Sequence, residues 1–172
     1  LPKGVFNLLH GLGPEVGQGI LEDPNIAGIS FTGGTATGRI VAATAAPMFK
    51  KISLELGGKN ATIILEDADM DVAVKGAVRA AFTNSGQVCL CGSRVLVHSS
   101  VASTFMAAFV SEVESMNIGS PTEEDSQIST LISMEHLEKV ESYINLAVEE
   151  GGTVLTGGTR AMTGLVGPDT NG

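Results

Sequence analysis

The residues of this chain best suited to covalent chemistry are its two cysteines, Cys89 and Cys91, in the stretch FTNSGQVCLCGSR. A disulfide between positions i and i+2 would be strained. The Cys-x-Cys spacing, in a chain with three histidines, is also unlike the separated pairs of a zinc site. Two interpretations of the pair therefore remain. They are a buried core thiol, or a nucleophile, since a thiol is partly ionised near neutral pH and is intrinsically very nucleophilic.

A carboxylate near the end of a predicted strand is the second candidate for chemistry. In KISLELGG, apolar residues alternate with polar ones, so Glu55 lies on the opposite face of the strand from Leu54 and Leu56. Glu55 is also close to the carboxyl end of that strand, where open α/β sheets bind ligands. A solvent-facing Glu on a half-buried strand would give the same pattern, so that alternative stays open.

Strands and helices that would position these residues alternate along the chain. Apolar runs predict strands at residues 5–9, 26–32, 52–56, 61–65, 94–98 and 153–156. Apolar stripes at helical spacing predict helices over residues 70–82, 102–116 and 137–148. Ser100 is the expected N-cap of the second helix, and Gly151-Gly152 is expected to end the third. This alternation predicts an α/β fold with a mostly parallel sheet.

Four of the predicted strands run into glycines, in LLHGLG, SFTGG, LELGG and VLTGG. In a parallel sheet these ends lie along one edge, where glycine lets the backbone approach a ligand. Pro14 is expected to open a helix, as is Gly34 or Thr35, and free N–H groups at a helix start suit phosphate. Ordinary turns of a βαβ protein would look the same, so both interpretations remain.

Composition disfavours several classes of function. The 172 residues, 43% of them hydrophobic, are enough to bury one sizeable core. A net charge of −9 disfavours nucleic-acid binding, which requires basic patches. No apolar run reaches the roughly 18 residues of a membrane span. We therefore expect no nucleic-acid or membrane partner and no signal peptide, and two cysteines favour a reducing, cytoplasmic location.

Several motifs together resemble the aldehyde dehydrogenase superfamily. FTNSGQVC is similar to its cysteine signature, LELGGKN to its glutamate signature, and GISFTGGTATG to its cofactor-contacting strand and turn. The two signatures occur in the family's order, with Glu55 and Cys89 separated by 34 positions. LPKGVFNLLHGLGPEVGQGI and ILEDADMDVAV extend the resemblance over nearly the whole chain, and it is weakest after about Gly151. GQVCLC and AAPMFKKISLELGGKN resemble the branch that acts on muconic semialdehydes.

The resemblance implies oxidation of an aldehyde, here a semialdehyde, to a carboxylic acid with NAD or NADP. It implies that Cys89 is the nucleophile and Glu55 the general base, and that Cys91 has no required chemistry. The residues that it implies for cofactor binding are Gly13, Pro14, Thr32, Gly33, Gly34, Leu56 and Gly57. Gly34 departs from the family, because many members carry a Ser there that contacts the pyrophosphate.

The resemblance also implies a domain organisation. Residues 1–57 would be the C-terminal part of the NAD(P)-binding domain and residues 58–172 the N-terminal part of the catalytic domain. We expect a central fragment of a subunit, inactive alone, whose full-length parent is a homo-oligomer that acts on a small-molecule aldehyde. The second oxyanion donor and the ribose-binding residues of the family have no counterpart here. A cofactor-independent cysteine hydrolase or acyl-transfer enzyme, and a catalytically incomplete fragment, remain as alternatives.

Overall fold

Apolar runs rich in Ile, Val and Leu form four strands in the computed structural model, which describes residues 1–161. The chain divides into two units, Leu1–Gly57 and Gly58–Gly172. Within residues 1–161, each unit contains one pair of parallel strands, and helices connect or follow the strands. The prediction of an α/β fold with parallel pairing is therefore confirmed.

The first unit pairs β1 (Gly28–Gly33) with β2 (Lys51–Leu56). A helical turn with wide, π-type hydrogen bonding, Gly13–Gly17, leads directly into α1 (Gln18–Glu22). The connection from β1 to β2 is α2 (Thr35–Ala45) followed by a 3₁₀ turn, Ala46–Met48. Both predicted helix starts are confirmed, because Pro14 lies in the first turn of its segment and Gly34 is the N-cap of α2.

Small residues let α2 lie close to the sheet of the first unit. Val41 and Ala45 are buried, and a Cβ added to Gly38 would come within 2.6 Å of the Leu56 side chain. Lys50 is buried as well, and its ammonium group donates to the Asp23 carbonyl oxygen at 2.5 Å. That bond satisfies a charged group which would otherwise be costly to bury.

The second unit pairs β3 (Ala61–Ile64) with β4 (Arg94–Val97). Three helices accompany them: α3 (Met70–Phe82) between the strands, then α4 (Ala102–Glu114) and α5 (Met134–Glu149). A 3₁₀ turn, Thr83–Gly86, follows α3. The main cluster of buried apolar residues in the described part of this unit contains Ile64, Val74, Ala77 and Phe105. Strands 3 and 4 are thus covered on one face by α3 and α4.

Two predicted strands are wrong. Residues 5–9 and 153–156 contain no strand, and no strand of the described part of the chain pairs with either. Their apolar side chains are exposed instead, including Phe6 at 76% and Leu155 at 56%. An apolar run becomes a strand only where another strand satisfies its backbone groups, and local pattern does not report that partner.

Helix ends were predicted less accurately than helix positions. The N-cap of α4 is Val101, so the prediction of Ser100 is wrong. The Ser100 hydroxyl is paired with His98 Nδ1 at 2.8 Å, which removes it from a capping role. At the end of α5 the prediction holds: Gly151 has a φ of 93°, and the Gly152 N–H donates to the Ala147 carbonyl oxygen at 2.7 Å.

Candidate functional site

The carboxyl edge of the β1–β2 pair collects four of the residues predicted to bind cofactor or act as base. Parallel pairing places Thr32 opposite Glu55 and Gly33 opposite Leu56. The expected edge of four glycine-ended strands is therefore reduced to two, since LLHGLG and VLTGG do not form strands. Glu55 is exposed while Leu54 and Leu56 are partly buried, as strand alternation predicts.

The start of α2, at the same edge, has the features of a phosphate site. Gly34 caps the helix without a side chain, and the first hydrogen bond into the helix runs from the Gly38 N–H to the Gly34 carbonyl oxygen at 2.9 Å. The N–H groups of residues 35–37 have no acceptor within the described residues. Such free N–H groups, together with the helix dipole, bind anions.

Open space adjoins Gly34 and Gly57, two of the predicted cofactor-binding glycines near this edge. A Cβ built on Gly34 or Gly57 would meet no atom within 4 Å. Gly33 differs, because its added Cβ would come within 2.5 Å of the Phe31 ring. The residues at this edge therefore fit the pyrophosphate of a dinucleotide, which needs close approach to backbone N–H groups.

Gly13 and Pro14 are placed at a separate point of the first unit. They begin the helical segment that continues into α1, and α1 packs against α2. A Cβ on Gly13 would meet no neighbouring atom, so this helix start is open as well. The structure thus places both residues on the element next to α2, rather than on the β1–β2 edge itself.

The segment between α3 and β4 carries the cysteines and has an unusual backbone. Asn84, Ser85 and Gly86 have φ values of 53°, 55° and 72°, three successive residues in the left-handed region. Asn and Gly tolerate this conformation, whereas Ser does so at a cost of roughly 1–2 kcal/mol. Strained backbone of this kind is concentrated at functional sites.

A tertiary contact stabilises this strained run. The Ser85 hydroxyl donates to the Ser129 carbonyl oxygen at 3.2 Å, and the Ser129 N–H approaches the Ser85 oxygen at 3.4 Å. The backbone of a residue 44 positions further along the chain is thus attached to the turn before the cysteines. The sequence contained only a weak sign of it, because Asn-Ser-Gly is typical of turns but does not indicate a partner.

Burial distinguishes the two cysteines, although only Leu90 separates them. Cys89 is exposed, whereas Cys91 is 6% exposed, with its Sγ 4.0 Å from the Thr83 carbonyl oxygen. The turn that achieves this spans residues 88–91 and is closed by a bond from the Cys91 N–H to the Val88 carbonyl oxygen at 2.9 Å. Cys91 is the core thiol, and Cys89 is the thiol that reactants can reach.

The backbone around Cys89 is held on one side and free on the other. The Asn60 side-chain amide donates from Nδ2 to the Cys89 carbonyl oxygen at 3.1 Å. The Cys89 N–H has no hydrogen-bond acceptor among residues 1–161. A free N–H beside an accessible thiol is a donor available to an oxyanion that forms there. Asn60 was not identified from the sequence as a site residue, because its contact with Cys89 is non-local.

Glu55 and Cys89 belong to different units, the first unit and the second. Each residue is exposed within the structure. Within the described part of the chain, no group of three or more His, Cys, Asp or Glu residues could hold a metal ion. The same residues include no helix that is both long enough and apolar enough to cross a bilayer.

Comparison with known proteins finds relatives over nearly the full chain. The aldehyde dehydrogenase family matches residues 1–168. Over 156 residues the chain is 45% identical to 2-aminomuconic semialdehyde dehydrogenase of Danio rerio, covering 91% of this chain and 32% of that protein. Over 165 residues it is 40% identical to mitochondrial succinate-semialdehyde dehydrogenase of Oryza sativa subsp. japonica, covering 96% of this chain and 31% of that protein.

A solved structure shows the same similarity. Betaine aldehyde dehydrogenase of Staphylococcus aureus, in complex with NAD+, superimposes with a TM-score of 0.89 at 40% identity. The match covers 94% of this chain and 32% of that one. The chain therefore spans about a third of the length of the relatives that it matches. Because the family match extends over residues 1–168, this chain belongs to the aldehyde dehydrogenase family.

Proposed function

We propose that the protein containing this chain oxidises an aldehyde to a carboxylic acid with NAD+ or NADP+, using Cys89 as nucleophile and Glu55 as general base. The family match over residues 1–168 supports the reaction class. The observation that carries the choice of nucleophile is the contrast between the exposed Cys89 and the buried Cys91.

Cys89 begins the proposed reaction by attacking the aldehyde carbon as a thiolate. A carbon–sulfur bond forms, and the carbonyl electrons move to the oxygen. The Cys89 N–H has no acceptor in residues 1–161. Because it belongs to the same residue as the attacking sulfur, it is close enough to donate to this oxyanion. When bound, NAD(P)+ supplies the hydride acceptor that this oxidation requires. Re-formation of the carbonyl bond would expel the former aldehyde hydrogen as hydride, and the Cys89 sulfur would then carry the acyl group as a thioester.

Glu55 acts in the second half of the proposed reaction. Its carboxylate takes a proton from water as the water oxygen attacks the thioester carbon. The resulting tetrahedral centre collapses and releases the carboxylic acid, and the Cys89 thiolate is regenerated. Covalent catalysis of this kind replaces one difficult step with two easier ones.

The proposed cofactor site is the carboxyl edge of the β1–β2 pair. There the pyrophosphate would bind to the free N–H groups at the start of α2, next to Thr32, Gly33 and Gly34. Leu56 and Gly57 would lie beside the nicotinamide, and Gly13 and Pro14 near the adenine. Since Gly34 has no hydroxyl, only the backbone of this residue could contact the phosphate. The NAD+ complex of the Staphylococcus aureus relative supports NAD as the cofactor.

Substrate class and organisation belong to the same proposal. Both curated relatives described above are semialdehyde dehydrogenases, which favours a semialdehyde substrate. Residues 1–57 would contribute to the cofactor domain and residues 58–172 to the catalytic domain of a homo-oligomer. Two free thiols within the described chain agree with a reducing, cytoplasmic compartment.

A chimera tests the proposed activity. This chain would replace the corresponding third of the Staphylococcus aureus betaine aldehyde dehydrogenase, and NADH formation with betaine aldehyde would be followed by absorbance. We expect turnover that falls by at least about a thousandfold in Cys89→Ser, because the covalent route is lost. Cys91→Ser is the matched control and should retain most of the activity.

Two results would contradict the proposal. One is a folded chimera that binds NAD+ but forms no NADH from any aldehyde offered. The other is turnover that survives Cys89→Ser. The substrate class has its own readout, the ratio of kcat/KM for succinate semialdehyde to that for betaine aldehyde. It should be higher in the chimera than in the unmodified host if this chain contributes to specificity.

A further inference from the structure

The chain segment that precedes β3 is hydrogen-bonded directly to residues 87–93, the part of the connection to β4 that contains Cys89 and is called the Cys89 loop below. Asn60 Nδ2 donates to the Cys89 carbonyl oxygen at 3.1 Å, and Arg94 Nε donates to the Lys59 carbonyl oxygen at 3.0 Å. The Arg94 N–H also donates to the Asn60 carbonyl oxygen at 3.1 Å. Residues 59–60 are therefore fixed to both the turn that contains Cys89 and the strand that follows it.

Other bonds hold the Cys89 loop elsewhere, but not at Cys89. The Gly92 N–H donates to the Ala80 carbonyl oxygen at 2.9 Å, and the Cys91 N–H closes its turn on Val88. Asn60 is the one residue of the described chain whose side chain bonds to a backbone group of Cys89. Cys89 is exposed and central in its turn, so little packing restricts it.

We infer that Asn60 is a positioning residue for Cys89: its amide fixes the Cys89 carbonyl and thereby the orientation of the peptide groups around the thiol. The Asn60 amide offsets the partial negative charge of the Cys89 carbonyl oxygen, and the Cys89 N–H has no acceptor among residues 1–161. Without the amide, the partial negative charge of this oxygen is no longer offset and disfavours a negative charge on the sulfur of the same residue. The nucleophilic role of Cys89 rests on the function proposed above.

The pH dependence of Cys89 alkylation tests this role on the chain itself. Iodoacetamide labelling would be measured from pH 6 to 9.5 by peptide mass spectrometry, in the wild type, Asn60→Ala and Asn60→Asp. Asp has the shape of Asn but, when ionised, only accepts hydrogen bonds. We expect Cys89 to be labelled about 2- to 10-fold more slowly at pH 7 in both variants, the range that one net hydrogen bond supplies. The difference in labelling rate between the wild type and the two variants should be largest at the low end of the pH range and smallest at pH 9.5.

A matched control and a rescue complete the test. Asn117 Nδ2 donates to the Asp125 carbonyl oxygen at 3.2 Å, the same kind of bond at another loop of the second unit. Asn117→Ala should leave the Cys89 profile unchanged. Asn60→Gln keeps the amide donor and should lie closer to the wild type than Asn60→Ala. Slow labelling of Cys91 shows that each variant is folded, because this thiol is buried.

Superimposable profiles for the wild type, Asn60→Ala and Asn60→Asp would overturn the inference. If those two variants unfold, the decision rests on Asn60→Gln and on solvent exchange of the side-chain amides in the wild type. Asn60 should then exchange more slowly than Asn145, whose side chain makes no hydrogen bond to the described residues, and equal rates would overturn the inference. Unchanged pH profiles of Cys89 labelling would not contradict the proposed function. NADH formation by a Cys89→Ser chimera would contradict that function without bearing on the hydrogen bond between Asn60 and Cys89.

Discussion

Cys89 and Cys91 have the same chemistry but different surroundings. The turn over residues 88–91 leaves Cys89 in solvent and buries Cys91 beside α3. Reactivity of a thiol toward an external reagent depends on access as well as on ionisation. Burial should therefore decide which of these two neighbouring thiols reacts.

Limited iodoacetamide treatment of the chain should label Cys89 before Cys91. The reason is that Cys91 is only 6% exposed, so its modification requires local opening of the loop. Peptide mass spectrometry after substoichiometric labelling measures the preference, and denatured protein, in which both thiols are accessible, serves as the control. Preferential labelling of Cys91 in the folded chain would contradict the assignment.

Among the elements, the connection from α3 to β4 stores backbone strain next to Cys89. Ser85 is held in the left-handed region, with a φ of 55°, while its hydroxyl bonds to the Ser129 backbone. Strain persists only where the surrounding structure enforces it. Here the Ser129 contact provides that enforcement from the loop before α5.

Substitutions of Ser85 should separate the strain from the hydrogen bonds. Both Ser85→Ala and Ser85→Gly lose the Ser129 contact, but only Gly adopts this conformation freely. We expect Ser85→Gly to reduce the free energy of unfolding by about 0.5–1 kcal/mol less than Ser85→Ala, since part of the gain is offset by unfolded-chain entropy. Urea unfolding followed by circular dichroism measures the difference.

Ser111, an exposed residue within α4, is the matched control for this comparison. In a helix interior Gly is worse than Ala by about 1 kcal/mol, so the order of the two substitutions should reverse there. The same order at both positions would show that Ser85 is not under left-handed strain in solution.

Helix α5 carries a bidentate ion pair that should respond to acid. Arg160 Nε and Nη2 donate to the two Glu141 carboxylate oxygens at 2.7 and 2.8 Å. The hydrogen bond from Arg160, more than its charge, lowers the pKa of Glu141 below the usual 4.5. Because the folded pKa is lowered, the pair is fully formed above pH 4.5 and is lost as the pH falls through the lower value.

Carbon NMR of the Glu141 carboxyl group should therefore give a titration midpoint below 4.5 in the folded chain. Arg160→Gln should bring the midpoint back toward the usual value, and added salt should do so partly, since the pair is exposed. A Glu141 midpoint that does not respond to Arg160→Gln would contradict the pairing.

For the whole molecule, the second unit has an uncovered sheet face. One face of the β3–β4 pair packs on α3 and α4, whereas Ile63, Leu65 and Leu96 on or beside these strands are 64%, 58% and 51% exposed. Parallel sheets are normally covered on both faces.

Isolated at micromolar concentration, the chain should therefore self-associate, and Leu96→Lys should weaken the association. Val72→Lys is the matched control. Val72 is 66% exposed on α3, so this substitution adds the same positive charge at another surface. Sedimentation velocity measures both variants. A monomeric wild type, or an equal effect of the two substitutions, would contradict the prediction that the chain self-associates through the exposed face of the β3–β4 pair.

The spacing of apolar residues in the sequence predicted those features that depend on neighbouring residues in the chain. The helix over residues 70–82 and the placement of Glu55 on the opposite strand face from Leu54 and Leu56 follow from side-chain period, and both are observed. The strands expected at residues 5–9 and 153–156 failed, because forming a strand requires a partner that the pattern does not contain. Contacts between distant residues, such as Asn60 with Cys89 and Ser85 with Ser129, also have no signal in one sequence.

The most direct test of the central claim is to trap the acyl group on Cys89. Glu55→Gln in the chimera should slow thioester hydrolysis about 100-fold or more, because an amide cannot accept the proton from water. After rapid mixing with NAD+ and betaine aldehyde, we predict a burst of about one NADH per subunit, followed by slow turnover. Mass spectrometry should then find the acyl group on the peptide at Cys89. An acyl group on Cys91, no acyl group on either thiol, or steady-state turnover unchanged by Glu55→Gln would contradict the account.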